Sequence, residues 1–229
     1  MLIHDHSTDR VRFLQIHLGG DRNFCYLVGD PTTGRAAAVD PGFEPGKFDE
    51  LARTEGLEIQ LILITHGHPD HTAGASELAS LSGARVHAGA ADEVTGAEPV
   101  QDGQILEVGE LALECLATPG HSPGHTCYLV EDRLITGDLL FCGKVGGTGV
   151  PFPGSSAREE YDSLARLMRL PAETLVFPGH DYYGGEGAMP HSTIGHEKEH
   201  NPFITAGDFE AFCHRKDTWA AYKKEHGIR

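Results

Sequence analysis

The segment His66-Gly67-His68-Pro69-Asp70-His71 places three imidazoles and one carboxylate within six residues. Imidazole and carboxylate donors together suit zinc, iron or manganese. In an extended loop His66 and His68 can point the same way, while Asp70 and His71, at a helix start, turn toward a second position. One segment can thus serve two adjacent metals. A solvated surface cluster of histidines is the bland alternative, and the buried strand expected just before His66 argues against it.

Three more candidates each sit where a predicted strand ends in a Gly-containing turn. They are His121 in Thr118-Pro119-Gly120-His121, Asp138 in Thr136-Gly137-Asp138, and His180 in Phe177-Pro178-Gly179-His180. A lone Gly-Asp is usually a turn, and a lone Gly-His is usually a satisfied surface residue. Recurrence of one geometry, beside the first motif, makes convergence on one rim the better reading.

The elements that must carry these residues follow from hydrophobic patterning. Leu57-Glu58-Ile59-Gln60-Leu61-Ile62-Leu63-Ile64-Thr65 is a nearly continuous apolar run and predicts a strand buried on both faces, with His66 at its carboxyl end. Residues Asp70 to Ser82 have helical spacing, stopped by Gly83, and Arg85-Val86-His87 resumes extended structure. Further strands are expected at Phe13–Leu18, Phe24–Val28, Ala36–Val39, Ile105–Val108, Leu111–Ala117, Thr126–Val130, Leu134–Thr136 and Leu175-Val176-Phe177. Antiparallel hairpins should dominate the first third. Helices are expected at Ser156–Leu170, Thr193–His200 and Asp208–Lys224. The order fits an α/β chain folded as an αββα sandwich, two mixed sheets between outer helices. It divides into a catalytic domain over 1–182 and a short helical C-terminal appendage over 183–229.

Composition narrows the function. With 18 Lys and Arg against 34 Asp and Glu, the formal charge of −16 should repel nucleic acid and anionic membranes, so neither is an expected partner. The 15 histidines are clustered, which directs the search toward metal. Five cysteines without Cys-x-x-Cys spacing do not form a disulfide framework. With no leader-like start and no long apolar run, a cytoplasmic location is expected.

The series His66-Gly67-His68-Pro69-Asp70-His71, His121, Asp138 and His180 resembles the metallo-β-lactamase superfamily, over roughly residues 13 to 182. The resemblance implies that His66, His68 and His121 hold one divalent ion, that Asp70, His71 and His180 hold another, and that Asp138 bridges them. Two such ions, about 3.5–4 Å apart, can share a hydroxide and polarise a carbonyl. Asp70 would then also orient that hydroxide and carry a proton toward the leaving group.

Within the superfamily, Asp138 stands where one group of zinc β-lactamases has cysteine, and the acidic, short chain is unlike the nuclease branch. Two branches that handle glutathione-type thiol substrates remain. The glyoxalase II hydrolases use two metals to cleave a thioester, whereas the persulfide dioxygenases use a single Fe(II), which here would be held by His66, His121 and Asp138. The run from Thr118 to Tyr128, including His125, and Phe141-Cys142-Gly143-Lys144 are similar to glyoxalase II, which makes Lys144 and Tyr182 substrate-contact candidates. His180-Asp181-Tyr182-Tyr183-Gly184, Ser192-Thr193-Ile194-Gly195 and Asn201-Pro202 look like the tail of persulfide dioxygenases and related small hydrolases. The favoured expectation is a metal-dependent hydrolase of a thioester or related ester, a lactone included, acting on a small thiol conjugate. The alternatives are the iron dioxygenase and a metal-binding relative without catalysis.

Other histidines are read conservatively. His4-Asp5-His6 lies at a terminus expected to fray, and His191, His196, His200 and His214 are expected to be exposed. Arg215-Lys216-Asp217 reads as a solvated helix face, and Cys142 as a structural thiol.

Overall fold

The computed structural model describes residues 1–20, 22–182 and 189–227. The first sheet collects strands in chain order: β1 (Leu2–Asp5), β2 (Arg12–His17), β3 (Phe24–Asp30), β4 (Arg35–Val39), β5 (Glu58–Leu63), β6 (Arg85–Gly89) and β7 (Glu98–Val100). The first four pair antiparallel and the rest parallel. Parallel neighbours need crossover connections. Helix α1 (Pro45–Thr54) supplies one, and α2 (Pro69–Thr72) with α3 (Ala75–Ser82) supplies the next.

The second sheet begins with β8 (Ile105–Val108), β9 (Leu111–Ala117), β10 (Thr126–Val130) and β11 (Arg133–Gly137). A small ribbon, β12 (Leu140–Phe141) with β13 (Lys144–Val145), and helix α4 (Ala157–Leu167) precede β14 (Leu175–Pro178) and β15 (Ser192–Thr193). Helices α5 (Ile194–His200), α6 (Phe209–Asp217) and α7 (Trp219–His226) follow. Strand order in this sheet is β15-β14-β11-β10-β9-β8.

Alternation of side chains along the strands divides the interior into three layers. Phe24, Tyr26 and Val28 of β3 face Leu113, Tyr128, Ile135 and Phe177 of the second sheet. Cys25 and Leu27, one residue out of step, face Phe48 and Leu51 of α1 and Leu78 of α3. On the far side Leu134 and Val176 meet Leu164 and Leu167 of α4, Ile194 of α5 and Phe212 of α6. Each fully buried Leu or Phe contributes roughly 1.5–3 kcal/mol. The result is the αββα sandwich. Among the described residues no helix is long and apolar enough to cross a membrane.

Several expectations are corrected in detail. The helix expected over Asp70–Ser82 is two helices that break at Ala73 and Gly74; Gly74 packs against the Pro41 carbonyl, where an added Cβ would lie 2.1 Å from that oxygen. Helix α1 was not expected. It starts on Pro45 and buries Phe48, Leu51 and Ala52. The helix expected over Asp208–Lys224 is interrupted at Thr218, which ends α6 and starts α7. The amino terminus does not fray at His4-Asp5-His6. His4 pairs with Gln15 across β1 and β2, and the His6 ring packs 4.9 Å from that of Phe177.

Candidate metal centre and its cavity

Strand direction brings the candidates together. β9 and β11 both run antiparallel to β10, and β11 is parallel to β14, so the carboxyl ends of β9, β11 and β14 fall on one edge. His121, Asp138 and His180 follow those three ends. The first sheet is fastened to the same edge. Thr126 N–H donates to the Thr65 carbonyl at 2.8 Å, Phe24 N–H to Gly179 at 2.8 Å, and Tyr128 Oη to Ile64 at 2.9 Å. His66 to His71, just beyond β5, therefore open onto the same rim.

All the sequence-derived candidates, His66, His68, Asp70, His71, His121, Asp138 and His180, converge there. Two sets have donor atoms within 4.8 Å of one another: His66, His68 and His121, and Asp70, His71 and His180. Asp138 lies between them, with its carboxylate 3.5 Å from His71 Nε2, 3.4 Å from His180 Nε2 and 3.7 Å from His121 Nε2. The approach is tight: a Cβ on Gly179, next to His180, would sit 2.3 Å from Asp138 Oδ1.

Hydrogen bonds on the outer side of the rings fix which nitrogen faces inward. His71 Nδ1–H donates to Asp40 Oδ2 at 2.9 Å, and His121 Nδ1–H to the Gly147 carbonyl at 2.8 Å. Thr65 Oγ1 gives its proton to Asp40 Oδ2 at 2.6 Å and so accepts from His66 Nδ1–H at 3.1 Å. In the neutral ring each bond leaves Nε2 as a bare lone pair pointing into the rim. His66 Nε2 and His121 Nε2 then lie 3.0 and 3.2 Å from His68 Nδ1, which can carry a proton for only one of them. Buried Asp138 Oδ1 has no hydrogen-bond partner among the described residues. Lone pairs converging without protons to share, beside an unpartnered carboxylate oxygen, are what a divalent cation would satisfy, so the donor set fits metal. A third grouping, Asp40 with His66 and His71, also has donor atoms within 4.8 Å of one another. Asp40 is already committed to Thr65 N–H, Thr65 Oγ1 and His71 Nδ1, and acts as an anchor.

Titration follows the same layout. Burial drives His66 well below the usual histidine range, and burial likewise lowers His121. For His71 burial opposes charge, but the carboxylates of Asp138 and Asp40 outweigh it and raise the pKa. For Asp138 burial favours the neutral acid, and the surrounding histidines overcome it and hold the carboxyl far below its ordinary value. Asp70 is lowered for a similar reason: its burial is outweighed by His180, His71 and Asn23, whose Nδ2 donates at 2.9 Å.

A cavity of about 540 Å³ opens over this rim, lined among others by Phe141, Lys144, Phe152, Tyr182, Lys216 and Trp219. Lys144 Nζ lies 4.6 Å from the centre of the Tyr182 ring, and that ring stacks on His180 at 4.5 Å. Burial lowers the Lys144 pKa. Tyr183 and Gly184, part of the tail pattern, lie outside the described residues.

Lys216 corrects the expectation of a solvated helix face. Its side chain is only 12% exposed, donates to the Gly146 carbonyl at 2.8 Å, and pairs with the fully buried Glu160 of α4. Burial pushes the Glu160 carboxyl up to about 7. Cys142 is buried, with its thiol pushed up to about 12, as a structural thiol should be. His200 and His214 are exposed, whereas His191 and His196 are half-buried. The His191 ring packs 4.6 Å from His6.

Sequence reading missed Asn23, Asp40 and Thr65. Val39-Asp40-Pro41-Gly42 repeats the pattern of a strand end followed by glycine, and that signal could have found Asp40. Nothing local marks Asn23.

Residues 18–180 match the family model of the metallo-beta-lactamase superfamily. The chain is 39% identical over 169 residues to a hydroxyacylglutathione hydrolase from Polaromonas sp., covering 70% of this chain and 63% of that protein. It thus spans less than two thirds of that relative's length. It is 31% identical over 170 residues to the probable polyketide biosynthesis zinc-dependent hydrolase BaeB of Bacillus velezensis, covering 70% of this chain and 73% of that one. Among solved structures it is similar to ETHE1 from Myxococcus xanthus, with a TM-score of 0.83 and 34% identity over 90% of each chain.

Proposed function

The chain belongs to the metallo-beta-lactamase superfamily, and from that premise we propose that it is a metal-dependent hydrolase of a thioester or related ester carried on a small thiol. The observation that carries this reading is the position of Asp138 between two donor sets, within 3.4–3.7 Å of His71, His180 and His121. In this reading His66, His68 and His121 hold one divalent ion and Asp70, His71 and His180 the other. When bound, such a pair supplies an activated water and a polarised carbonyl. The relatives named as a hydroxyacylglutathione hydrolase and a zinc-dependent hydrolase support the class.

The chain's own groups have separable tasks. Asp70, ionised and held by Asn23, faces the cavity, where it orients a water and accepts its proton. Lys144 brings an ammonium beside aromatic surface, a suitable seat for a carboxylate on the thiol carrier. The cavity volume of about 540 Å³ suits a small molecule. In this reading the C-terminal appendage completes the cavity wall through Phe203, Lys216 and Trp219.

A second reading, persulfide oxidation at a single iron held by His66, His121 and Asp138, draws on the tail. Asn201 Nδ2 donates to the Lys144 carbonyl at 3.2 Å, so Asn201 of the dioxygenase-like tail pattern reaches the cavity wall, while Ser192 and Thr193 pair with the start of β14. Metal analysis of anaerobically purified protein, with parallel thioester-hydrolysis and oxygen-uptake assays, separates the two. Two ions with hydrolysis are expected. One iron with persulfide-dependent oxygen uptake would replace the first reading by the second.

A further inference from the structure

Asp92 belongs to neither donor set. It closes a short helical turn, Ala90–Asp92, just after β6. Its carboxylate nevertheless accepts three hydrogen bonds from two separate segments. Oδ2 accepts from the backbone N–H of Gly67 at 2.8 Å and from Ser122 Oγ at 2.7 Å, and Oδ1 accepts from the backbone N–H of Gly124 at 2.6 Å. Gly67 stands between His66 and His68, and Ser122 follows His121. One carboxylate therefore ties together the two segments that carry the His66, His68 and His121 imidazoles. The other set is anchored elsewhere, Asp70 by Asn23 and His71 by Asp40. The backbone also accepts a strained conformation at this point, since Glu93 has a φ of 50°.

We propose that Asp92 is a positioning residue that sets the separation of the two loops and so controls the affinity of the His66, His68 and His121 subsite for its ion. The proposal rests on the two-ion reading above. Hydrogen bonds to an ionised acceptor are short and strong, and they fix position better than neutral ones. Because Asp92 is only half-buried, water can replace it at the freed N–H groups, and a variant is expected to fold. Outer partners of metal ligands typically change affinity by about 10–100-fold.

The test is cobalt(II) titration of chelator-treated protein, read by visible absorption and metal content, for the parent, Asp92→Ala, Asp92→Asn and His71→Ala. Circular dichroism checks each fold. Asp92→Ala should weaken one cobalt about 10–100-fold and leave the other within about twofold, while His71→Ala should affect the opposite ion. Asp92→Asn, which keeps one carbonyl oxygen as acceptor, should fall between Asp92→Ala and the parent. Equal weakening of both ions, or no weakening, overturns the proposal. If the parent takes up a single ion, the two-ion reading fails separately. Asp92 is then judged by whether that ion, if lost in His121→Ala, is also weakened in Asp92→Ala.

Discussion

The rim and the outer wall of the cavity are held in place in different ways. On the rim, His66, His71 and His121 each bind a partner through the nitrogen that faces away from the cavity; Thr65 and Asp40 hold the first two at strand ends, while His121 leans on Gly147 of the wall segment. On the wall, the segment carrying Lys144 is held by residues far along the chain. Gly143 N–H donates to buried Glu197 at 3.0 Å, Asn201 donates to the Lys144 carbonyl, and Lys216 donates to Gly146. A rim built on strand ends has its chemistry set by the sandwich itself. A wall tied to α5 and α6 can change shape with the tail while His66 and His71 stay fixed, and it meets the rim at the bond between His121 and Gly147. In the proposed reading, chemistry and substrate choice are thus carried by largely separate parts.

That separation can be broken at several points. Asp138→Ala should have the largest effect, because Asp138 lies between the two donor sets, close to His71, His180 and His121. Hydrolysis is expected to fall more than in any variant below and metal content to drop, with His4→Ala unchanged in both. Equal turnover and metal in the two variants would remove Asp138 from the ligand set. His71→Ala should lower thioester hydrolysis by at least about a hundredfold, consistent with losses at metal sites. A variant that keeps one iron and near-parental oxygen uptake with a persulfide would assign the rim to the dioxygenase instead.

Changes to the wall should be smaller and of another kind. Asn201→Ala removes the donor to the Lys144 carbonyl and to Glu197 and the acceptor for Phe203 N–H, each bond worth about 1 kcal/mol; circular dichroism checks the fold. KM should rise about fivefold with kcat and metal content kept, and a kcat loss with unchanged KM would show that wall and rim are not separable. The smallest effect concerns pH. Glu160 has a folded pKa of about 7 against an ordinary 4.5, so the folded state binds the proton more tightly. Its contribution to stability is fully present below about pH 4.5 and is lost as pH rises through about 7. Urea midpoints of the parent, measured against Glu160→Gln, should therefore fall between pH 4.5 and pH 7.5. A flat difference would mean that Lys216 fully compensates the buried carboxylate.

Legibility in the sequence follows the same division. The rim could be read because each ligand sits beside its strand end in a short run, and the apolar pattern of β5 locates the first of these. Three layers of apolar contact likewise follow from alternation in β3 and its neighbours. Asp40 escaped notice because its run carries no histidine, although its strand-end context matches the others. The wall could not be read. Glu160 looks like an acid in the first turn of a capped helix, and Lys216 like one charge in a basic-acidic run. Only the packing of α6 on α4 reveals that the two neutralise each other. The close approach of Gly74 to Pro41 was equally hidden, since it is a property of the folded chain.

The pairing of Glu160 with Lys216 also has a consequence in time. The partners are 56 residues apart in the chain. At about 5–20 residues per second, a ribosome would deliver α4 roughly 3–11 s before the helix that supplies its counter-charge. For that interval the inner face of α4 must keep Glu160 in water or protonated. The candidate ligand segments through Asp138 precede α4, so the nascent chain can assemble much of its rim while the roof of the cavity is still being made.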